Sequence, residues 1–361
     1  MKILNLELSN FRNYKYLYYN PKGQINVITG ENAMGKTNLL EAIYVLTVGK
    51  SFRTVKDSEL IQIGGEQTNL KALSINFEYE DYLDVNIYKD KKNKYSINSD
   101  DMNLSKYRRD FSSVIFSPSD LNMVKFSPSE RRKYLDSLIL KLSSVYEHNL
   151  YRYRKIIFER NKLLKKNINY DLLEVYDFQL AKYGVKILRE RLKILKEFEN
   201  YVKYHFSNLS GGENLKITYL STIPLMSDEE EMEKIFLDSL KNCRKRDLEI
   251  KFTTIGPHRD DIDFKIENLS AKTYGSQGEI RTVVLSLKLS EVDIIKNYQK
   301  NSPLLLLDDV FSELDKNRAS YLINSLKNMQ TFITSTNLNE ENFRSLNADF
   351  YEIKNGQIIN Y

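Results

Sequence analysis

The run Gly30-Glu31-Asn32-Ala33-Met34-Gly35-Lys36-Thr37 has the spacing of a phosphate-binding loop, G-x-x-x-x-G-K-[ST]. Its glycines let the chain turn so that successive amide N–H groups and the start of a helix face one anion. In such a loop Lys36 spans the β- and γ-phosphates of a nucleotide, Thr37 offers a hydroxyl to Mg²⁺, and Glu31, Asn32, Ala33, Met34 and Asn38 complete the cradle. Far downstream, Pro303-Leu304-Leu305-Leu306-Leu307-Asp308-Asp309 ends an apolar run in two acids. Asp308 is placed to hold Mg²⁺ through water, and Asp309 to orient or deprotonate an attacking water, with Lys36 as the second catalytic group. A third stretch, Ser276-Gln277-Gly278, sets a hydroxyl and glycine amides in front of a run that is apolar nearly all round, from Ile280 to Ile295. Together these suit the binding and hydrolysis of a nucleoside triphosphate.

Such groups need a sheet and helices to hold them. Ile25–Thr29 reads as a short β-branched strand, and Leu39, Leu40, Ile43 and Leu46 recur at helical spacing, so the loop sits between strand and helix. Leu304 to Leu307 reads as a strand buried on both faces of a parallel sheet, with its acids at the carboxyl end where ligands sit. Leu4, Leu6 and Leu8 alternate, and two further alternating runs, Leu73–Tyr79 and Leu83–Ile87, hinge on Asp81-Tyr82 and predict an antiparallel layer. From Ser127 the period changes. Ser127-Pro128-Ser129-Glu130 opens a helix whose stripe runs through Leu135, Leu138, Leu142, Val145, Tyr153 and Ile157 to a basic end near Lys166. A second long helix, from about Asp171, carries Leu188, Leu192, Leu195 and Val202, and a short Asn-containing connection makes the two an antiparallel hairpin. The expected class is α/β: a head of mixed sheet and antiparallel layer over 1–120 and 245–361, with a helical lobe inserted over 121–244.

No apolar run among the 361 residues approaches the ~18 that span a bilayer. One cysteine, Cys243, excludes an internal disulfide framework, and three scattered histidines give no zinc pattern. The first residues alternate like a strand and not like a secretory signal, so a reducing cytoplasm is the expected compartment. Net charge is +5, but Lys125 to Lys166 holds twelve Lys/Arg against four Asp/Glu, a surplus of eight, and the remainder is about three units negative. The acidic stretch Asp228 to Asp238 reads as a solvated helix face. Within the basic segment Arg131, Arg132, Arg152, Arg154 and Lys155, with Tyr151 and Tyr153 between, would suit a polyanion such as DNA. A solvated helix with its tyrosines packed in the hairpin is the equal alternative. Lys50-Ser51-Phe52-Arg53-Thr54 would touch nucleotide or nucleic acid, or form an ordinary surface turn.

In chain order the phosphate loop, Ser276-Gln277-Gly278, Leu304 to Asp309 and Ser312-Glu313-Leu314-Asp315 resemble the ABC-type ATPase heads of the SMC class. Within that class the chain resembles the RecF family of bacterial DNA repair ATPases, from Leu8-Ser9-Asn10-Phe11-Arg12-Asn13-Tyr14 to the carboxyl-terminal strands. Lys50 to Thr54, Pro118 to Asp136, Gly256-Pro257-His258-Arg259-Asp260-Asp261 and Asp308 to Asp315 carry that narrower likeness. The resemblance implies ATP and Mg²⁺, slow DNA-stimulated hydrolysis used as a switch, and ATP sandwiched between two copies, Ser276, Gln277 and Gly278 serving the partner's nucleotide. It also implies dimerisation on gapped DNA, work with RecR, RecO and the RecA pathway in recombinational repair, replication restart and SOS induction, and no membrane partner. Departures are Ser119, Phe126 and Glu279-Ile280 at family positions, Asp309 where many such ATPases place Glu, and Thr334-Ser335-Thr336 where a switch histidine would fall. Leu209-Ser210-Gly211-Gly212-Glu213 imitates the signature loop, but Leu215 to Tyr219 after it alternates like a strand and not like the helix that loop must begin. The alternatives from other classes are a transport ATPase subunit, against which the basic hairpin, the split head and the Gly256 to Asp261 stretch speak, and a small-molecule kinase, which leaves the Ser276 loop and Ser312 to Asp315 without a task.

Overall fold

The structure, a computed structural model, describes residues 1–165, 169–336, 343, 347–354 and 356–360. Alternation of apolar and polar residues makes Gln67–Asn76 and Tyr79–Tyr88 the long antiparallel pair of one sheet, with Leu70, Ala72, Leu83 and Val85 turned inward. Their turn is Phe77-Glu78, both at positive φ (51° and 72°), so the tight connection comes four residues before the expected Asp81-Tyr82. Phe77, Tyr79 and Tyr82 are all exposed, so the solvated end of the hairpin carries no burial pattern to mark its turn. Lys2–Phe11 pairs with Gln67–Asn76 on one side and Tyr14–Tyr19 on the other. A register shift between Ile3 and Asn5 turns Ile3, Leu6 and Leu8 inward and leaves Leu4 half-buried. Lys94–Ile97 and Asp100–Met102 complete this antiparallel sheet.

The second sheet has the order Gln357–Asn360, Asp349–Lys354, Ile25–Thr29, Thr331–Thr334, Leu304–Asp308, Ser113–Phe116. All its neighbours are parallel except the terminal hairpin. Every residue of Leu304–Asp308 is buried, as its unbroken apolar run requires. The helix Lys36–Val48 is buried from Leu39 onward and shares one core with Leu6 and Leu8 of the first sheet and Leu304, Leu306 and Phe332 of the second. This mixed α/β arrangement is that of an ABC/SMC-type ATPase head.

By contacts the chain divides into two compact units, Met1–Asp120 with Leu285–Tyr361, and Leu121–Val284. The return at Leu285, where 245 was expected, follows from packing: Glu229–Ile250 lies on Tyr170–Ser210, and Asp261–Ile266 pairs with Leu215–Leu220 in a small third sheet completed by Leu269–Ser270. The one helix expected from Ser127 to about Lys166 is two, Pro128–Leu142 and Ser144–Leu163. Ser143 breaks them. Its backbone is extended and its hydroxyl accepts from Tyr146 N, capping the second helix. Asn169 caps Tyr170–Ser210 in the same way through Leu172 N; the connection expected before it lies, over 166–168, outside the described residues. Gly211, at positive φ, ends that 41-residue helix, and a strand follows, so the Ser210-Gly211-Gly212 run begins no helix.

Charge, and not only apolar area, organises the second unit. Arg160, 0% exposed, lies 2.7 Å from both Asp177 and Asp247, and Arg244 makes a second bond to Asp177. Arg191 donates to Asp136, the Tyr146 and Tyr219 hydroxyls and Pro257 O. Gly256, Pro257 and Asp260 belong to this interior, while Arg259 is exposed. Asp260 is buried and accepts from the Tyr219 hydroxyl and from Thr222 N and Oγ1, each at 2.7 Å. His258 Nε2 faces Thr253 O at 3.1 Å, so it carries the proton, and Nδ1 accepts from the Tyr153 hydroxyl at 2.9 Å. Burial lowers the His258 pKa from 6.5 to about 3, the neighbouring arginines adding to the effect against the bond to Thr253. The unfolded chain thus binds a proton that the folded chain refuses, and the contribution is complete above about pH 6.5 and lost as pH falls toward about 3. We expect urea stability to fall by about 1 kcal/mol between about pH 7 and about pH 5.5. His258→Gln should flatten that slope, measured by far-UV circular dichroism at both pH values.

Candidate nucleotide-binding site

The phosphate loop leaves Ile25–Thr29 at Gly30 and enters the helix Lys36–Val48 at Gly35. Both glycines are at positive φ, 143° and 113°. A Cβ on Gly30 would meet Ile353 O at 2.6 Å, and one on Gly35 would meet the side chains of Asn13 and Tyr14 at 2.6 and 2.7 Å. No other residue fits either place. The polar turn at Arg12-Asn13-Tyr14 clamps the loop from the other side, Tyr14 donating to Gly35 O at 2.9 Å and Asn13 to Met34 O at 3.2 Å. Lys36 Nζ donates to Gly30 O (2.6 Å) and Glu31 O (2.9 Å), which holds the ammonium over the loop. Its pKa is lowered by partial burial, against the opposing pull of Asp309 and Asp308.

Across the site Thr37 Oγ1 donates to Asp308 Oδ1 at 2.8 Å, although 271 residues separate them. The two residues named for Mg²⁺ thus stand together. A hydroxyl and a carboxylate are hard oxygen donors of the kind that cation takes, with water filling the rest of its octahedron. Asp309 Oδ1 is buried with no hydrogen-bond partner among the described residues, and its backbone is at φ 53°. A buried carboxylate oxygen without a donor is costly unless something that enters the site supplies one. The donor set therefore fits Mg²⁺ and water. A cavity of about 370 Å³ joins these groups, lined by Asn32, Lys36, Thr37, Asp308, Asp309 and Arg53 among others. That volume lies within the range of small-ligand sites.

Residues 2–355 match the family model described as the RecF/RecN/SMC N terminal domain. The chain is 41% identical to the DNA replication and repair protein RecF of Clostridium tetani over 99% of its own length and 100% of that protein. The chain belongs to the RecF family. A solved structure described as the recombination mediator protein RecF with ATP in the RecFOR pathway superimposes with a TM-score of 0.92, at 33% identity, over 100% of this chain and 97% of that one. An SMC head bound to the C-winged helix domain of ScpA shares the fold, with a TM-score of 0.58 at 15% identity.

The other residues of interest fall into three groups, the first two singled out in the sequence. Ser276 precedes the helix Gln277–Gln299, and with Glu279 it forms a capping box: Ser276 Oγ accepts from Glu279 N at 3.2 Å while Glu279 Oε2 accepts from Ser276 N at 2.7 Å. Gln277 and Gly278 are the first two residues of that helix. Of the cations expected on DNA, Arg131 must be withdrawn. It is 2% exposed, paired with Asp261 through two nitrogens, and donates to Met123, Val124 and Phe126 carbonyls, because the helix face that carries it is the buried one. Arg132 is half-buried and donates to Asp260 O. Arg154 is exposed although bonded to Asp136, and Arg152 and Lys155 stand at the surface beside a hollow with Ile156, Val175 and Phe178. Tyr153 is buried in the hairpin, Tyr151 exposed.

The third group is what sequence reasoning passed over. Glu41, inside the helix after the loop, is 0% exposed yet accepts from Arg12, Arg53 and Ser51. Arg53 also donates to Asn38 Oδ1 at 2.7 Å, so this carboxylate fixes a cation at the rim of the cavity. An acid among Leu39, Leu40, Ala42 and Ile43 was the available signal. Thr334, marked in the sequence only as standing where a switch histidine would fall, is the other residue of this group: its hydroxyl reaches Asp308 Oδ1 at 2.8 Å. Glu41→Gln should lower stability by about 2 to 4 kcal/mol by leaving two arginines without their buried anion. Urea unfolding of the full chain checks this, and a loss under about 1 kcal/mol would show that the arginines find other partners.

Proposed function

We propose that this RecF family member is an ATP-dependent DNA-binding protein of recombinational repair and replication restart. It dimerises with ATP on DNA that contains gaps or single strands, and is released by slow, DNA-stimulated hydrolysis. The observation that carries the reading is the 2.8 Å contact between Thr37 and Asp308 beneath the phosphate loop. The loop amides bind the phosphates, Lys36 moves from the Gly30 and Glu31 carbonyls to phosphate oxygens, and Asp309 Oδ1 holds the attacking water and receives its proton. Thr37 and Asp308 would hold Mg²⁺, which when bound offsets charge on the β- and γ-phosphate oxygens. Asp309 is one methylene shorter than Glu, which is consistent with a slow switch.

Ser276, Gln277 and Gly278 begin a helix, the arrangement that presents amides to a phosphate, and we assign them to the nucleotide of a second copy. Each chain then supplies Lys36 and Asp308 to one ATP and Ser276 to the other. The names of its relatives give DNA replication and repair and a RecFOR pathway, which support this reading; we extend it to loading of RecA with RecR and RecO and support of SOS induction, in the cytoplasm. Among the described residues no helix is long and apolar enough to cross a membrane. Arg152, Arg154 and Lys155 are the proposed DNA contacts.

Two measurements test this. Sedimentation with ATP and gapped DNA should show a dimer that Ser276→Arg abolishes while ATP binding stays near normal, and Lys36→Met should lose both. A persistent Ser276→Arg dimer would refute the sandwich. DNA affinity should fall steeply as salt is raised, by about tenfold or more between low and moderate salt, and replacing Arg152, Arg154 and Lys155 with Glu should reduce both affinity and salt slope. An unchanged slope would remove these three from the contact.

A further inference from the structure

Three parallel strands end beside one another at a residue to which the reading above gives no task. Thr334 closes Thr331–Thr334, the strand that lies between Ile25–Thr29 and Leu304–Asp308. It is buried, and in register with Ile28 on one side and Asp308 on the other. Its Oγ1 is 2.8 Å from Asp308 Oδ1, 3.2 Å from Asp309 N and 3.4 Å from Leu307 O.

A hydroxyl has one proton and two lone pairs. The nearer, charged acceptor takes the proton, so Thr334 donates to Asp308 and a lone pair receives the Asp309 amide. That amide also donates to Thr334 O at 3.1 Å. Both acceptors of the Asp309 N–H therefore belong to one residue. Asp309 sits at φ 53°, a left-handed conformation that a residue with a Cβ holds only where its surroundings fix it. Meanwhile Asp308 Oδ1 accepts two hydroxyls, Thr37 and Thr334, which sets the plane of the carboxylate and leaves Oδ2 to meet what enters the cavity.

We infer that Thr334 is a positioning residue for the reaction. Its one hydroxyl sets the rotamer of Asp308 and the left-handed backbone of Asp309, so both carboxylates are aimed by the neighbouring strand and not by their own. The inference rests on the ATPase reading of the site. It differs from a packing role in depending on the oxygen and not on the shape, since valine matches threonine in outline and serine keeps only the hydroxyl.

The test compares Thr334→Val and Thr334→Ser in the full chain with gapped DNA present. Valine should lower kcat about 10- to 100-fold with KM for ATP within about threefold, the scale expected when a reacting group is displaced by about 1 Å. Serine should restore kcat to within about threefold of the parent. A second readout does not need turnover: the Mg²⁺ concentration at half-maximal binding of a fluorescent ATP analogue should rise about five- to tenfold in the valine variant and stay near the parent value with serine. Thermal unfolding of both variants establishes that each is folded. Equal impairment by valine and serine, or an unimpaired valine variant, would overturn the inference. If Asp309→Asn leaves hydrolysis intact, the ATPase assignment of that carboxylate falls, while the Mg²⁺ midpoint still decides whether Thr334 fixes Asp308.

Discussion

The register of three parallel strands is the constraint on which the site depends. Ile28, Thr334 and Asp308 form one row across Ile25–Thr29, Thr331–Thr334 and Leu304–Asp308. That row puts the end of the phosphate-loop strand level with the carboxylate it must meet, and Thr37 reaches Asp308 across it. Side chains alternate faces along a strand, so a slip of one residue would send Asp308 to the wrong side of the sheet. The apolar run Leu304 to Leu307, buried on both faces, resists that slip by the area it would expose. The geometry of the proposed site is therefore held by an apolar, fully buried strand.

Why part of this was legible in the sequence and part was not follows from the same physics. The phosphate loop and the Asp308-Asp309 pair declare themselves because local spacing and local apolar runs carry them. Thr334 does not. Its partners are 26 and 25 residues away along the chain, and nothing in Thr331-Phe332-Ile333-Thr334 distinguishes a strand end that holds a carboxylate from any other. Arg131 misled for a related reason: a cation beside another cation reads as surface, and only the fold shows Asp261 waiting for it. The two-helix break at Ser143 was hidden because Leu142 and Val145 keep the stripe in phase across it, though a serine is a good cap.

The second unit shows what the Gly256 to Asp261 stretch does in the fold. Asp260 ties Tyr219 and Thr222, Asp261 ties Arg131, and Arg191 gathers Asp136, Tyr146, Tyr219 and Pro257 O. Replacing Asp136 or Asp261 leaves a buried arginine without its counter-charge, which costs more than the pair contributes. Such a network is a demanding specification of one packing arrangement, since each member is satisfied only when the others are in place. The buried members of Gly256 to Asp261 are thus held by the packing of this unit.

Two of the residues that carry a Cβ at positive φ, Ala33 and Asp309, line the cavity. Gly30, Ala33 and Gly35 on one side of the cavity, and Asp309 on the other, all adopt positive φ. For the glycines this is nearly free, but Ala33 and Asp309 hold conformations that an isolated chain would leave. Each turn is anchored to something rigid: Tyr14 and Asn13 clamp the loop, and Thr334 clamps Asp309. The core shared by the two sheets and the helix Lys36–Val48 is what makes those anchors immobile. A loop softened anywhere in this chain of supports would relax toward ordinary backbone, and the orphaned Asp309 oxygen would be the first group to leave its place.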